Sequence, residues 1–251
     1  MSFHIIIPAR LNSSRLPGKV LKDLAGKPMI QYVYENAMLC RAASVTIATD
    51  NDEIAEVADS FGASVCLTAS THQSGTERIC EAVESLEFSS DDVIIGLQAD
   101  EPLLSSSMVT LLADDLIEHE HIKVASLCSP IQSSEELFNP NVVKVVLNRR
   151  HYAIYFSRAP MPWHRDSITS PGEMVVTQQH YRHVGMYGYR VSFLEDYAKW
   201  SDSPLESIEQ LEQLRIIWNG GRIHMKVYDQ NLPLGVDTED DFKAVLELIK
   251  G

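Results

Sequence analysis

Long hydrophobic runs are missing from this chain. No apolar stretch approaches the roughly 20 residues that a membrane-spanning helix needs, so no transmembrane role is expected. Cysteine is scarce: Cys40, Cys66, Cys80 and Cys128 are all there is. They sit apart in apolar segments with no C-x-x-C pair, which suits reduced, buried thiols without a catalytic role. Positive charge is also short, with 21 Lys and Arg against 35 Asp and Glu, a formal net charge of -14. Nucleic-acid partners select a basic face, so a polymer of phosphates is not the expected ligand. Neither the G-x-x-x-x-G-K-[ST] loop nor the dinucleotide G-x-G-x-x-G fingerprint occurs. There is no internal repeat and no low-complexity tract. The opening MSFHIIIPAR lacks the basic front and long apolar middle of an export signal, and the expected location is cytoplasmic.

What the chain does contain is one local reversal of its charge. Residues 1–27 hold Arg10, Arg15, Lys19, Lys22 and Lys27 against Asp23 alone, a net +4 segment in an acidic protein. The strand-like run 3–7 leads into this segment, and a helix starts near Gly26-Lys27-Pro28. A basic loop of this size, at the end of a strand, fits a small polyanion.

The 251 residues, 45% of them apolar, are enough for one α/β domain with an appendage. Strand patterns at 45–50, 64–68 and 93–98 alternate with helical spacing after each. The expected fold is therefore α/β, a mostly parallel central sheet with helices on both faces. Ligands in such sheets bind beyond the carboxyl ends of the strands. After residue 120 the strand candidates KVASLC, VVKVVLN, YAIYFS and HVGMYGYR are closely spaced, which predicts a smaller antiparallel region, roughly 130–200. PMPWHRDSITSPGEM reads as a long loop. SPLESIEQLEQLRIIW reads as one helix, with Ile208, Leu211, Leu214 and Trp218 on a single face. The last helix opens on a Thr238 to Asp241 capping pattern.

Several residues fall where chemistry is expected. Ser74-Gly75-Thr76, just before a helix, offers exposed amides to a nucleotide, although an ordinary turn and helix cap has the same residues. Asp100 in LQADEPLL and Asp237 in LGVDTEDD are carboxylates at turns. Each alone is evenly balanced between metal ligand and turn former, but two aspartates can share Mg²⁺ with a nucleotide phosphate. Arg158 follows a strand. His183 and Tyr187 lie four residues apart in another and share a face. Together the three could recognise a carboxylated, polyhydroxylated ligand. His119 and His121 are read as solvated.

Taken in order, PARLNSSRLPGK, GKPMIQYVYENA, IATDNDEI, HQSGTERICEAVE, LQADEPLL, NPNVVKVV, YFSRAPMPW, RHVGMYGYR, SPLESIEQLEQLR and GVDTEDDF resemble the 3-deoxy-manno-octulosonate cytidylyltransferases, or CMP-Kdo synthetases, over nearly the whole chain. The resemblance implies a nucleotidyltransferase of the nucleotide-diphospho-sugar transferase type. Its reaction would be CMP transfer from CTP to the anomeric hydroxyl of the eight-carbon sugar acid Kdo, releasing pyrophosphate, for lipopolysaccharide synthesis. It implies that Pro8, Ala9, Arg10, Arg15, Lys19, Ser74, Gly75, Arg78 and Gln98 meet CTP. Gln98, Arg158, His183, Tyr187, Glu212 and Gln213 would meet Kdo, and Asp100 and Asp237 would hold Mg²⁺. Arg10, Lys19 and the two aspartates would be catalytic, in a homodimer assembled through the later strands.

Three positions depart from the family pattern: Ala99 stands where glycine is usual, Glu77 where aspartate is, and Leu11 where an aromatic is. The Ala99 methyl is expected to narrow the nucleotide pocket or alter a backbone angle. Alternatives are a cytidylyltransferase for sialic acid or 8-amino-Kdo, and a glycosyltransferase using Asp100 and Glu101. The second leaves Arg10, Arg15 and Lys19 without a purpose. In a noncatalytic nucleotide-binding protein the paired aspartates would be surplus.

Overall fold

The computed structural model describes residues 2–11, 16–166, 168–170 and 173–250. Its first strand, β1 (Phe3–Ala9), runs two residues further than the sequence pattern predicts. Ile5, Ile6 and Ile7 are all fully buried. Consecutive strand residues point to opposite faces, so three buried isoleucines in a row require a cover on each side. A small hairpin of β2 (Asp23–Leu24) and β3 (Lys27–Pro28) follows, then α1 (Met29–Met38), β4 (Ser44–Thr49), α2 (Asp52–Ser60), β5 (Ser64–Leu67), α3 (Gly75–Ser85), β6 (Val93–Gly96) and α4 (Ser106–Glu118).

β1 lies between β4 and β6, parallel to both, and β5 extends the sheet beyond β4. The two faces build separate cores. Ile5 and Ile7 pack with Ile30 of α1, Ile54 of α2 and Leu112 of α4. Ile6 packs with Ile79 and Val83 of α3. Each such side chain taken fully from water contributes about 1.5–3 kcal/mol, which makes this sheet the rigid platform for whatever its edge carries.

The second half adds β7 (Val124–Pro130), α5 (Ser134–Phe138), the hairpin β8 (Lys144–Leu147) and β9 (Ala153–Ser157), the short pair β10 (Ile168–Ser170) and β11 (Glu173–Met174), and β12 (Tyr181–Arg190). Then come α6 (Val191–Tyr197), α7 (Pro204–Glu209), α8 (Gln213–Trp218), β13 (His224–Val227) and α9 (Glu239–Lys250). The predicted antiparallel pairing is present, as a continuation of the main sheet. Among the described residues that sheet has nine strands, and its main path is β13-β7-β12-β6-β1-β4-β5. β12 alone on this path runs against its neighbours, while β13 is parallel to β7. Gly188 is where helix α4 closes on the sheet: a Cβ there would lie 2.6 Å from Leu116 Cδ1 and 2.9 Å from Ile95 Cδ1.

β12 has a bulge. Val184 faces Leu127 and Tyr187 faces Ser126, so Gly185 and Met186 are extra. On one side of it β12 pairs with β6; on the other it pairs with β8. Bulges re-aim backbone and side chains next to sites, and this one turns the Gly185 carbonyl toward Gln98.

The helix predicted over SPLESIEQLEQLRIIW is two helices. Gln210 sits at φ 54° and ends α7 by donating its N–H to Glu206 O. The single apolar face breaks there: Leu211 and Leu214 are buried, but Ile208 is 79% exposed and Trp218 56%. The capping predicted for the last helix is present, with Asp241 N donating to Thr238 Oγ1 at 3.2 Å and Thr238 N to Asp241 Oδ2 at 2.9 Å. That helix docks through Phe242 and Val245 onto Leu16, Leu24 and Met29. It thereby brings Asp237 back to the start of the chain. No helix among the described residues is long and apolar enough to cross a membrane.

Candidate active site

The carboxyl ends of β1, β4 and β6 share one edge of the sheet, and the N-terminal half of β12 reaches the same edge. Gly18, at φ 65°, turns the chain after the opening loop into a 3₁₀ turn, Lys19–Leu21. A left-handed backbone there suits glycine. The turn buries Lys19, whose Nζ lies 2.5 Å from Asp100 Oδ2 and 3.3 Å from Asp237 Oδ1. Nζ also donates to the Val236 carbonyl at 2.8 Å, while Val236 N donates to Asp100 O at 2.9 Å. Three predicted residues from distant parts of the chain thus meet at one ammonium.

Asp100, Glu101 and Asp237 line a cleft of about 410 Å³ together with Arg182, His183 and Gly185. Burial, with Asp100 and Asp237 close by, pushes the Glu101 carboxyl up to about 7. Two carboxylates share the Lys19 ammonium and a third acid, Glu101, lines the same cleft, so acidic groups are in surplus over that ammonium. That surplus and the oxygen-only donor set fit a hard divalent cation, with Asp100 and Asp237 as protein ligands. Among the described residues no three His, Cys, Asp or Glu side chains form a protein-only cage. Mg²⁺ makes no such demand, since it keeps waters and substrate phosphates in its shell.

Several of the residues expected to meet CTP converge where Gly75 lacks a side chain. A Cβ on Gly75 would lie 3.4 Å from Pro8 Cγ and 3.9 Å from Gln98 Nε2. Gly75 therefore lets the start of α3 approach the end of β1 and the turn after β6. Ser74 caps α3, its Oγ accepting from Glu77 N at 3.2 Å. Gln98 Nε2 donates to Gly185 O at 3.5 Å, joining this side to the bulge of β12. Ala9 is buried, so only its backbone faces the edge, and Arg10 is exposed beyond it. Arg15 lies outside the described residues. Arg78 is buried and engaged by the protein, 3.1 Å from Asp50 Oδ1 and 2.5 Å from Thr68 Oγ1.

On the other side, His183 Nε2 lies 2.9 Å from Ser126 Oγ. Ser126 Oγ also donates to Met186 O at 2.8 Å. A hydroxyl has one proton, so His183 must be the donor in their bond, and its Nδ1 is left as an acceptor. Burial pushes the imidazole down to about 3, which keeps it neutral. Its ring stands 5.3 Å from that of Tyr187, as the shared strand face requires. Tyr187 Oη and Gln213 Nε2 are buried without a hydrogen-bond partner among the described residues. Glu212 Oε1 accepts from Thr76 Oγ1 at 3.1 Å. Burial raises the Glu212 carboxyl, while bonds from Thr76 and Ser74 hold it back. Arg158 is held by its own chain: its Nε donates to Glu209 O at 2.8 Å and its Nη1 to Pro140 O at 3.0 Å.

Arg182 lines the cleft although the strand pattern had not singled it out, and Glu101, named only in the glycosyltransferase alternative, lines it too. Ala99, where a narrowed nucleotide pocket or an altered backbone angle is expected, is buried in the hydrophobic core. Glu77 accepts from Gln73 N at 2.8 Å and pairs with Arg215 at 2.9 Å, which ties α3 to α8. Leu11 packs against the core on the β1 side.

The chain is similar to known proteins of one family. A family model described as cytidylyltransferase matches residues 4–226. A 3-deoxy-manno-octulosonate cytidylyltransferase of Coxiella burnetii (strain Dugway 5J108-111) is 57% identical over 98% of each chain. One from Pasteurella multocida (strain Pm70) is 46% identical over 99% of each. A solved CMP:2-keto-3-deoxy-manno-octonic acid synthetase complexed with CTP superposes with a TM-score of 0.89 at 37% identity, covering 100% of this chain and 99% of that one.

Proposed function

This chain belongs to the cytidylyltransferase family, and on that premise we propose that it transfers CMP from CTP to the anomeric hydroxyl of Kdo, for lipopolysaccharide synthesis. The observation that carries the reading is the meeting of Lys19, Asp100 and Asp237 in the same cleft as His183. Cation and carboxylates for a metal-bound triphosphate lie beside a neutral ring that can bind a sugar hydroxyl.

The anomeric oxygen attacks the α-phosphorus of CTP. A new oxygen to phosphorus bond forms, the bond to the β-phosphate oxygen breaks, and pyrophosphate leaves while the hydroxyl proton passes to solvent. Two anionic substrates must be brought together, so positioning and charge neutralisation carry most of the task. Arg10, Arg15 and Lys19 neutralise the triphosphate. The backbone at Pro8, Ala9, Ser74 and Gly75 lets the nucleotide approach closely, with Arg78 fixing the start of α3 through Asp50. Gln98 stands between nucleotide and sugar. His183 Nδ1 accepts from a sugar hydroxyl, and Arg158, Tyr187, Glu212 and Gln213 complete the sugar side. Asp100 and Asp237 would hold Mg²⁺, which when bound supplies charge neutralisation and a lowered hydroxyl pKa. No residue serves as a covalent nucleophile, and the buried cysteines, with thiols raised by burial, have no part.

The test is pyrophosphate release with CTP, Mg²⁺ and a panel of sugar acids. Release with Kdo is expected. Release with sialic acid or 8-amino-Kdo alone, or with no acid, refutes the reading. We further propose a cytoplasmic homodimer assembled through the later strands. Sedimentation at micromolar concentration should give twice the chain mass, and a monomer would exclude the dimer.

A further inference from the structure

A second concentration of positive charge lies outside the cleft. Arg149, Arg150 and Arg222 line a concave space of about 540 Å³ with Asn148, Tyr152 and Ile154, and no acidic side chain borders it. In a chain of net charge -14, several arginines pair with carboxylates, Arg78 with Asp50, Arg182 with Glu136 and Arg215 with Glu206, and the Arg190 guanidinium is taken up by the carbonyls of Ile122, Asp91 and Leu116. Arg149, Arg150 and Arg222 pair with no carboxylate among the described residues.

The space is also braced. Asn148 Oδ1 accepts from Arg150 N at 2.8 Å and Tyr152 N at 3.1 Å, which fixes the turn between β8 and β9. Backbone bonds from Ala153 N to Ile223 O at 2.9 Å and from Met225 N to His151 O at 2.8 Å lock that turn to the start of β13. The Arg222 guanidinium stands 5.9 Å from the Tyr152 ring centroid. That ring in turn packs on His224, whose Nδ1 lies 2.5 Å from the buried Asp115. The arginines therefore project from a fixed frame built by segments some seventy positions apart in sequence, not from a loose loop.

We propose that this pocket is a second anion site for a phosphate-bearing ligand, distinct from the nucleotide cleft. Planar guanidinium forks bind phosphate oxygens in pairs, and three with no internal carboxylate to satisfy them leave that capacity for an outside anion. Ile154, 54% exposed at the rim, adds an apolar contact beside the charge. The same phosphate chemistry is offered by free pyrophosphate and by the headgroups of an anionic lipid surface.

The arginine side-chain N–H resonances of Arg149, Arg150 and Arg222, assigned with single Arg→Lys variants, are followed while pyrophosphate is added to the full chain. In parallel the protein is sedimented with vesicles of equal parts phosphatidylglycerol and phosphatidylcholine, and with phosphatidylcholine alone. The Arg149→Ser, Arg150→Ser, Arg222→Ser variant is the control, and its CMP transfer rate should match the parent because none of the three lines the cleft. Saturable shifts at these resonances in the low millimolar range or below, without sedimentation, identify a free anion. Sedimentation with anionic vesicles only, weakened at least tenfold in the triple variant, identifies a headgroup. No local shift and no sedimentation, or vesicle binding equal in parent and triple variant, overturns the proposal whether or not the chain transfers CMP.

Discussion

Replacing Thr76 by Val tests whether the nucleotide loop and the sugar side are mechanically one unit. Thr76 Oγ1 lies 3.0 Å from Tyr189 Oη and 3.1 Å from Glu212 Oε1, and both Thr76 and Tyr189 are buried. Its single proton goes to the carboxylate, so Tyr189 donates to it and the three groups form a relay. Valine has nearly the same shape and fits the first turn of α3, so the substitution removes two hydrogen bonds and little volume. An orphaned buried hydroxyl costs about 1–3 kcal/mol, and a carboxylate losing one donor about as much. Ser74 still supports Glu212, which puts the sum near 2–4 kcal/mol. For a chain of this length that is a fall in Tm of roughly 5–15 °C. With Glu212 less firmly held, KM for Kdo should rise about tenfold, or about 1.4 kcal/mol, while KM for CTP stays within about twofold. Thr76→Ser, which retains the hydroxyl, should recover both. An unchanged Tm would remove the relay. A lowered Tm with an unchanged Kdo KM would leave the relay structural and take Glu212 off the sugar side.

His183 makes stability depend on pH in a defined direction. Its folded pKa, near 3, lies below the unfolded value of 6.5, so the unfolded chain takes up a proton that the fold refuses. The contribution is complete above pH 6.5 and is lost as pH falls from 6.5 toward 3, at about 1.4 kcal/mol per pH unit. Urea unfolding of His183→Gln should show a shallower loss over that window; parallel curves would refute the burial account. Asp100→Asn should reduce turnover to near background while the fold persists, because Lys19 retains Asp237 and Val236 O. With the Asp100 side chain 30% exposed, the stability loss should be about 1–2 kcal/mol. Near-normal turnover in that variant would remove Asp100 from the reaction.

Strand and helix order was legible because it is written in local spacing. Ile5 to Ile7, or Ile79 and Val83, carry their burial in their own neighbourhood. The break at Gln210 was not, since the left-handed residue there is neither glycine nor asparagine. Partners of charges were equally hidden. Arg78 reads as a lone cation beside a loop until Asp50 is brought to it, and the sequence does not show that Glu209 and Pro140 take two nitrogens of Arg158 and so fix its orientation.

Charge clusters were legible only where the sequence supplied few local acids, as in the opening segment with Asp23 alone. Even there the reading was incomplete, because the cation at position 19 has two uses. Lys19 reads as a phosphate ligand, and its ammonium also lies between Asp100 and Asp237. Two carboxylates that close repel each other, and a buried one is raised toward neutrality, as Glu101 is. An ammonium between them offsets that repulsion. The opening loop therefore does more than attract a polyanion. It also holds Asp100 and Asp237 at one point of the cleft, and such fixed placement of charge is the preorganisation that phosphoryl-group chemistry depends on.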